Sequence, residues 1–164
     1  MTAPCLPVPI TEWFAAKGWA PRQHQLAMLD VARGGRHGLL VATTGAGKTL
    51  AGFLPTLAEL VDHPTEGLHT LYVSPLKALA VDVQRNLLTP IEEMGLDIRV
   101  ETRTGDTPSD RKARQRIRPP QILLTTPESL SLLLSYPDSF TMFEGLKTIV
   151  VLCSSISAIT CAAA

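Results

Sequence analysis

Residues 42–49 carry glycines and a lysine at the spacing that binds the phosphates of a nucleotide. They read Ala-Thr-Thr-Gly-Ala-Gly-Lys-Thr and follow a short apolar run that is typical of a buried strand. The two glycines allow a tight turn that directs successive backbone N–H groups at phosphate oxygens. The helix expected after them adds the positive end of its dipole. This segment therefore predicts a phosphate-binding loop and a nucleoside-triphosphate-binding domain.

Each side chain of this loop has an expected role. Lys48 would reach the β- and γ-phosphates of ATP, and the hydroxyl of Thr49 would coordinate Mg²⁺. The common pattern begins with glycine, where this chain has Ala42, and because that position only ends the strand, we expect the change to be mild. The other residues assigned to ATP lie within the loop: Thr44, Gly45, Ala46 and Gly47.

The rest of the chain supplies the elements that must hold this loop in place, since strand and helix patterns alternate along it. Strands are expected at residues 38–42, 70–74, 97–101, 121–125 and 148–151. Helices are expected at residues 11–17, 21–33, 48–61, 76–94, 108–116 and 127–134. Such alternation predicts an α/β fold with a parallel β-sheet and helices on both of its faces.

Composition sets further bounds on the protein. The 164 residues suffice for one domain. With 15 basic and 15 acidic residues, the net charge neither favours nor excludes nucleic-acid binding. The three cysteines have no metal-ligand spacing, and we interpret them as unrelated thiols in a reducing compartment. No secretory signal or membrane span is expected. We therefore predict a cytoplasmic protein without membrane attachment.

Four further segments, in the expected order around the phosphate loop, resemble motifs of superfamily 2 helicases of the DEAD/DExH type. They are Arg-Gln-His-Gln at 22–25, Ser-Pro-Leu-Lys-Ala-Leu-Ala at 74–80, Thr-Gly-Asp-Thr at 104–107 and Thr-Thr-Pro-Glu-Ser-Leu at 125–130. The resemblance covers residues 6–151 and is strongest to the large helicase-related branch, which includes bacterial helicases associated with a DNA ligase. It implies a RecA-like P-loop domain, with ATP and Mg²⁺ as cofactors.

The resemblance also implies roles outside the phosphate loop. Gln25 would read the adenine edge, although a lone glutamine is more often a solvated helix residue. The loops after the expected strands would lie together along one rim of the sheet. There they can bind a sugar–phosphate backbone without contacting the bases. The resemblance implies DNA rather than RNA, a role in DNA repair and a possible ligase partner. The residues it assigns to nucleic acid are Pro75, Lys77, Gly105, Thr126 and Pro127.

Two of these features also have simpler interpretations. Thr126 and Pro127 form an ordinary helix start, with a cap and a proline at the first position, and this is compatible with nucleic-acid contact. A basic cluster follows the 104–107 motif, and such a run is usually a solvated face rather than a nucleic-acid contact. Its members are Arg111, Lys112, Arg114, Arg116 and Arg118.

The resemblance fails after Val151. The family pattern continues with Asp-Glu-x-His, in which the aspartate holds Mg²⁺ and the glutamate positions the attacking water. Here residues 152–155 read Leu-Cys-Ser-Ser, and no Asp or Glu follows Glu144. Residues 1–20 are thus expected to form a lead-in with a short helix, 21–151 an incomplete RecA-like lobe, and 152–164 an aberrant small-residue tail.

We therefore expect a truncated helicase fragment that binds ATP but neither hydrolyses it nor unwinds nucleic acid. Our hypothesis for the tail is a coding sequence interrupted near codon 152. One alternative is a nucleotide or nucleic-acid binding module that needs no hydrolysis. Another is a small P-loop kinase, against which the helicase-like segments after residue 74 argue.

Overall fold

A six-stranded sheet forms the centre of the fold. The computed structural model describes residues 5–42, 45, 47–153 and 158–163. The strands are β1 (Gly38–Val41), β2 (Thr70–Val73), β3 (Val100–Arg103), β4 (Ile122–Thr125), β5 (Thr148–Cys153) and β6 (Ala158–Ala163). The strands β5, β2, β4 and β3 lie side by side in that order and are parallel. The α/β fold with a parallel sheet is therefore confirmed.

The strand β6 lies between β1 and β5 and is antiparallel to both. Two antiparallel pairings in succession make β1 run in the same direction as the four parallel strands. Among the described residues, the only strand that pairs with β1 is β6. The expectation of no strand after residue 151 is thus wrong. Residues 158–163 carry no charge and include β-branched isoleucine and threonine, which suit a strand enclosed between two neighbours.

Helices cover both faces of the sheet, as predicted. They are α1 (Val8–Ala16), α2 (Gln23–Arg33), α3 (Lys48–Asp62), α4 (Lys77–Glu93), α5 (Ser109–Ile117), α6 (Pro127–Leu134) and α7 (Ser139–Phe143). Side chains of α1 to α4 share one apolar core with Tyr72, Leu124 and Val150 of the sheet. Side chains of α6 and α7 share the other with Leu71 and Leu123. Because neighbouring strand residues enter different cores, both faces are buried.

Several boundaries differ from those expected. Helix α1 begins at Val8, since Pro9 occupies the first turn, where a missing N–H costs nothing. Helix α3 continues through Pro55 and ends at Asp62, one residue beyond the expected end. Strand β3 starts three residues late, because the N–H of Arg99 donates to the side chain of Gln121 (3.0 Å). The five-residue helix α7 is too short for its periodicity to be recognised in the sequence.

A buried polar cluster lies at the amino end of β2, away from the phosphate loop. The fully buried His69 ring contacts the hydroxyl of Thr70 at 2.8 Å, and its Nε2 lies 3.3 Å from a carboxylate oxygen of Glu59. Burial lowers the pKa of His69 despite that carboxylate. Burial acts to raise the pKa of Glu59, but the hydrogen bond from Lys147, the attraction of His69 when it is protonated and the charge of Lys147 lower it overall. The cluster therefore favours a neutral histidine beside a charged carboxylate.

This cluster predicts a loss of stability in mild acid. The folded state holds the pKa of His69 below the ordinary value of 6.5, so the unfolded chain binds this proton first as the pH falls. We expect the unfolding free energy to decrease as the pH falls through and below 6.5, the ordinary pKa of histidine, until His69 is protonated in the folded state as well. Urea titrations should show a smaller decrease for His69→Gln than for the unmodified protein. An equal decrease, or the same effect from His37→Gln at an exposed histidine, would contradict this assignment.

Candidate functional site

The phosphate loop connects β1 to the start of α3. Gly45 and Gly47 have φ angles of +77° and +72°, which residues with a Cβ rarely adopt. A Cβ on Gly47 would also lie 2.9 Å from the amide nitrogen of Gln25. Lys48 is the first residue of α3, and its ammonium donates to the carbonyl of Ala42 across the loop at 2.9 Å. Gly45 and Gly47 thus have the left-handed backbone angles expected in a phosphate-binding loop; Thr44 and Ala46 lie outside the described residues.

Gln25 connects the helix α2 to the phosphate loop. Its side chain is buried and accepts a hydrogen bond from the N–H of Arg22 at 2.8 Å. Its amide nitrogen donates to the carbonyl of Gly47 at 3.4 Å, and the Arg22 guanidinium donates to the carbonyl of Gly45 at 3.5 Å. The simpler interpretation of Gln25 as a solvated residue is therefore wrong, whereas its contact with adenine stays a prediction.

Two cavities flank the loop, with volumes of about 490 and 590 Å³. The first contains Gln25 and Arg22 at its wall, and the second contains Lys48 and Thr49. Trp19 lines both and is 57% exposed. Nothing in the spacing of this tryptophan along the sequence indicates its place beside the loop.

The helix α1 is anchored beside these cavities by a contact with the end of α4. The indole of Trp13 and the ammonium of Lys17 each donate to a different carboxylate oxygen of Glu93, both at 2.7 Å. The hydrogen bond from Lys17, together with that from Trp13, lowers the pKa of Glu93. Trp13 also makes an edge-to-face contact with Trp19, with ring centroids 5.7 Å apart. Trp13 therefore packs between the end of α4 and Trp19 and helps to position Trp19.

The residues near the loop fit a nucleotide better than an independent metal site. Thr49 is partly buried in the first turn of α3 and lines the larger cavity. In the described part of the chain, no group of three His, Cys, Asp or Glu side chains is arranged to hold a metal ion. Mg²⁺ here would therefore depend on nucleotide phosphates and the Thr49 hydroxyl, since it retains waters and binds through few protein ligands.

The motifs at 74–80, 104–107 and 125–130 meet on one rim of the sheet. Val73, Arg103 and Thr125 are level in the strand register, so β2, β3 and β4 end together. The N–H of Ser74 donates to the carbonyl of Thr125 at 2.9 Å, and the hydroxyl of Thr125 donates to the carbonyl of Arg103 at 2.7 Å. The three loops therefore start from one hydrogen-bonded base, as the parallel sheet required.

The residues assigned to nucleic acid differ in exposure. Pro75, Lys77, Gly105 and Pro127 are exposed on the rim, whereas Thr126 is only 3% exposed. The Thr126 hydroxyl accepts from the N–H of Ser129 at 3.4 Å and caps α6. The side chain of Thr126 thus acts as a helix cap, as the simpler interpretation expected. Its backbone remains the candidate for contact with nucleic acid.

The basic cluster on α5 is largely engaged within the protein. Arg114 pairs with Glu101 at 3.2 Å, and Lys112 donates to the carbonyl of Gly105 at 3.1 Å. The guanidinium of Arg116 lies 4.0 Å above the ring of Tyr136. These partners favour the simpler interpretation of a surface stabilised by local contacts.

Comparison with known proteins identifies the chain by its sequence and by its fold. The DEAD/DEAH box helicase family matches residues 22–151. The "Lhr helicase/probable uracil glycosylase" of Mycolicibacterium smegmatis is 42% identical, over 85% of this chain and 10% of its own length. The "ATP-dependent helicase Lhr-Core" of Methanocaldococcus jannaschii is 37% identical, over 87% of this chain and 19% of its own length. The chain thus spans about a tenth to a fifth of these relatives.

Solved structures agree with this result. M. smegmatis Lhr bound to ssDNA and AMP-PNP superposes with a TM-score of 0.78 at 39% identity, covering 89% of this chain and 20% of that one. MrfA bound to DNA and AMPPNP gives 0.79 at 31% identity, covering 89% and 20%. Mss116, at 20% identity and a TM-score of 0.73, supports the fold alone. No helix of the described residues is long and apolar enough to cross a membrane.

Proposed function

The chain belongs to the DEAD/DEAH box helicase family, and we propose that it binds ATP–Mg²⁺ as the N-terminal lobe of an Lhr-like helicase but does not hydrolyse it. The observation that carries this proposal is the phosphate loop, where Gly45 and Gly47 have left-handed backbone angles and Lys48 begins α3. In such a loop the backbone N–H groups and the helix dipole face the phosphates. Family membership disfavours the alternative of a small P-loop kinase.

The proposed ATP site uses both cavities beside the loop. Phosphates would lie against the loop and the Lys48 ammonium, which would exchange the carbonyl of Ala42 for phosphate oxygens. The Thr49 hydroxyl would bind Mg²⁺. The base would lie in the cavity lined by Gln25 and Trp19, where an amide can pair with an adenine edge. The related Lhr and MrfA were solved with AMP-PNP, which supports ATP as the nucleotide.

The proposed lack of hydrolysis comes from the residues after β5. Phosphoryl transfer to water requires a group that positions the water and charges that neutralise the developing negative charge. In the family pattern an aspartate and a glutamate after the strand contribute to this, but this chain has Leu152 and Cys153 there and no acidic residue beyond Glu144. We propose that this lobe retains nucleotide affinity without turnover.

Nucleic acid is the second proposed partner, bound at the rim formed by Pro75, Lys77, Gly105, Thr126 and Pro127. Lhr and MrfA were solved with DNA, so we propose DNA rather than RNA. A role in DNA repair, a cytoplasmic location and a DNA ligase partner belong to the same proposal and rest on the resemblance of the motifs. We do not propose unwinding for this chain, which matches about a tenth to a fifth of its relatives' length.

A phosphate-release assay tests the proposed lack of turnover. We expect release from ATP and Mg²⁺, with or without single-stranded DNA, to stay at the level of protein-free buffer. A parallel binding assay under the same conditions should show that ATP is bound. Release at a helicase-like rate that disappears in Lys48→Ala would contradict the proposal, because the activity would then belong to this site.

A further inference from the structure

An ion pair connects two motifs of the proposed nucleic-acid rim. Lys77 is the first residue of α4, and Asp106 lies in the turn after β3. The Lys77 ammonium lies 2.9 and 3.0 Å from the two carboxylate oxygens of Asp106. The same ammonium would lie 3.3 Å from a Cβ placed on Gly105. The cation assigned to a nucleic-acid phosphate is therefore already held by a carboxylate.

The pair is poorly placed to stabilise the fold. The side chains of Lys77 and Asp106 are 52% and 79% exposed, and exposed ion pairs contribute about 0–1 kcal/mol. The turn has other supports: the N–H of Thr104 donates to the hydroxyl of Thr107 at 2.9 Å, and Lys112 donates to the carbonyl of Gly105 at 3.1 Å. The Asp106 carboxylate can therefore move away from Lys77 while the turn keeps its form.

We propose that Asp106 competes with a nucleic-acid phosphate for Lys77 and thereby lowers the affinity of the rim for single strands. Carboxylate and phosphate both offer a lysine two negatively charged oxygens, so they can replace each other at the ammonium. This inference rests on the proposed function, because it requires nucleic acid to bind at the rim.

The competition also changes the salt dependence of binding. Each phosphate neutralised by a protein cation releases a condensed counterion, which makes binding weaker as salt increases. When Lys77 moves from Asp106 to a phosphate, the freed carboxylate takes up a cation from solution. This uptake offsets part of the counterion release from the nucleic acid. Without the carboxylate, the dependence of log affinity on log salt should become steeper by up to about 0.7 for a single strand.

The test measures the anisotropy of a fluorescent oligothymidylate titrated with the full chain at several salt concentrations. We expect Asp106→Asn to bind about threefold to fivefold more tightly than the unmodified protein, with the steeper salt dependence. Asp106→Glu keeps the charge and should bind like the unmodified protein. The matched control is Asp30→Asn, which removes the same charge from an exposed pair with Arg36 at 3.2 Å.

These titrations distinguish a failure of the competition for Lys77 from a failure of nucleic-acid binding. If Asp106→Asn gains no more affinity than Asp30→Asn, competition for Lys77 is refuted while nucleic-acid binding stands. In the background of Lys77→Ala, the gain from Asp106→Asn should disappear, and a persistent gain would also refute it. If neither the unmodified protein nor Asp106→Asn binds at the lowest salt, the proposed nucleic-acid function fails, and this inference with it.

Discussion

Replacing Thr160 by proline is expected to destabilise the protein by about 3 kcal/mol or more. Thr160 lies in the middle of β6 and is paired with Leu39 of β1 on one side and Val151 of β5 on the other. Proline has no N–H to donate, so one interior hydrogen bond of the sheet is lost whichever neighbour receives it. The carbonyl left without a donor adds to the cost.

The effect should be large because β1 depends on β6. Leu39 and Val41 are 66% and 62% exposed, so one face of β1 has little packing, and Leu40 is its buried apolar side chain. Urea unfolding should show a lower midpoint for Thr160→Pro and almost none of this loss for Thr160→Val, which keeps the backbone N–H. Equal stability of the two variants would show that β6 does not hold β1 in the sheet.

Replacing Lys48 by alanine is expected to weaken ATP binding by about 10- to 100-fold. The ammonium would make charge-assisted hydrogen bonds to phosphate oxygens, each of which contributes roughly 1.5–3 kcal/mol. Fold stability should change little, because the hydrogen bond from Lys48 to the Ala42 carbonyl lies at the partly exposed loop. Titration calorimetry with ATP and Mg²⁺ measures the loss.

The matched control for this substitution is Lys147→Ala. Lys147 carries the same charge but pairs with Glu59 at 2.8 Å, at the amino end of β5. Its removal should leave ATP affinity within about twofold of the unmodified protein, since exposed charges at the opposite end of the strands from the loop are screened by salt. A similar loss of ATP affinity in both variants would mean that binding depends on the net charge of the protein and not on the phosphate loop.

Much of the fold was predictable from the sequence because its signals are local. The apolar runs at β2 and β4 are short and bounded by polar loops, and a run of that kind indicates a buried strand. The Gly-Lys-Thr pattern indicates a phosphate loop only where a strand precedes it and a helix follows. Here β1 precedes it and α3 begins at its lysine. The parallel order then brings Ser74, Thr104 and Thr126 to one rim, although they are far apart in sequence.

Other features of the fold and of the site depend on contacts between distant parts of the sequence, which no local sequence pattern predicts. The pairing of β6 with β1 and β5 depends on the space between those two strands, and the two β-branched residues within 158–163 are too few to predict a strand by themselves. Trp19 lies beside the phosphate loop in contact with Trp13, which Glu93 at the end of α4 anchors together with Lys17. The pairing of Lys77 with Asp106 likewise requires two loops 29 residues apart in sequence to meet.

We propose that the loop of residues 42–49 binds ATP and that the chain does not hydrolyse it. Calorimetric titration of the unmodified protein with ATP and Mg²⁺, followed by chromatography of the nucleotide, tests this most directly. We predict saturable binding of one ATP per chain and recovery of the nucleotide as intact ATP. The absence of saturable binding by a folded protein, or recovery of the nucleotide as ADP, would contradict the claim.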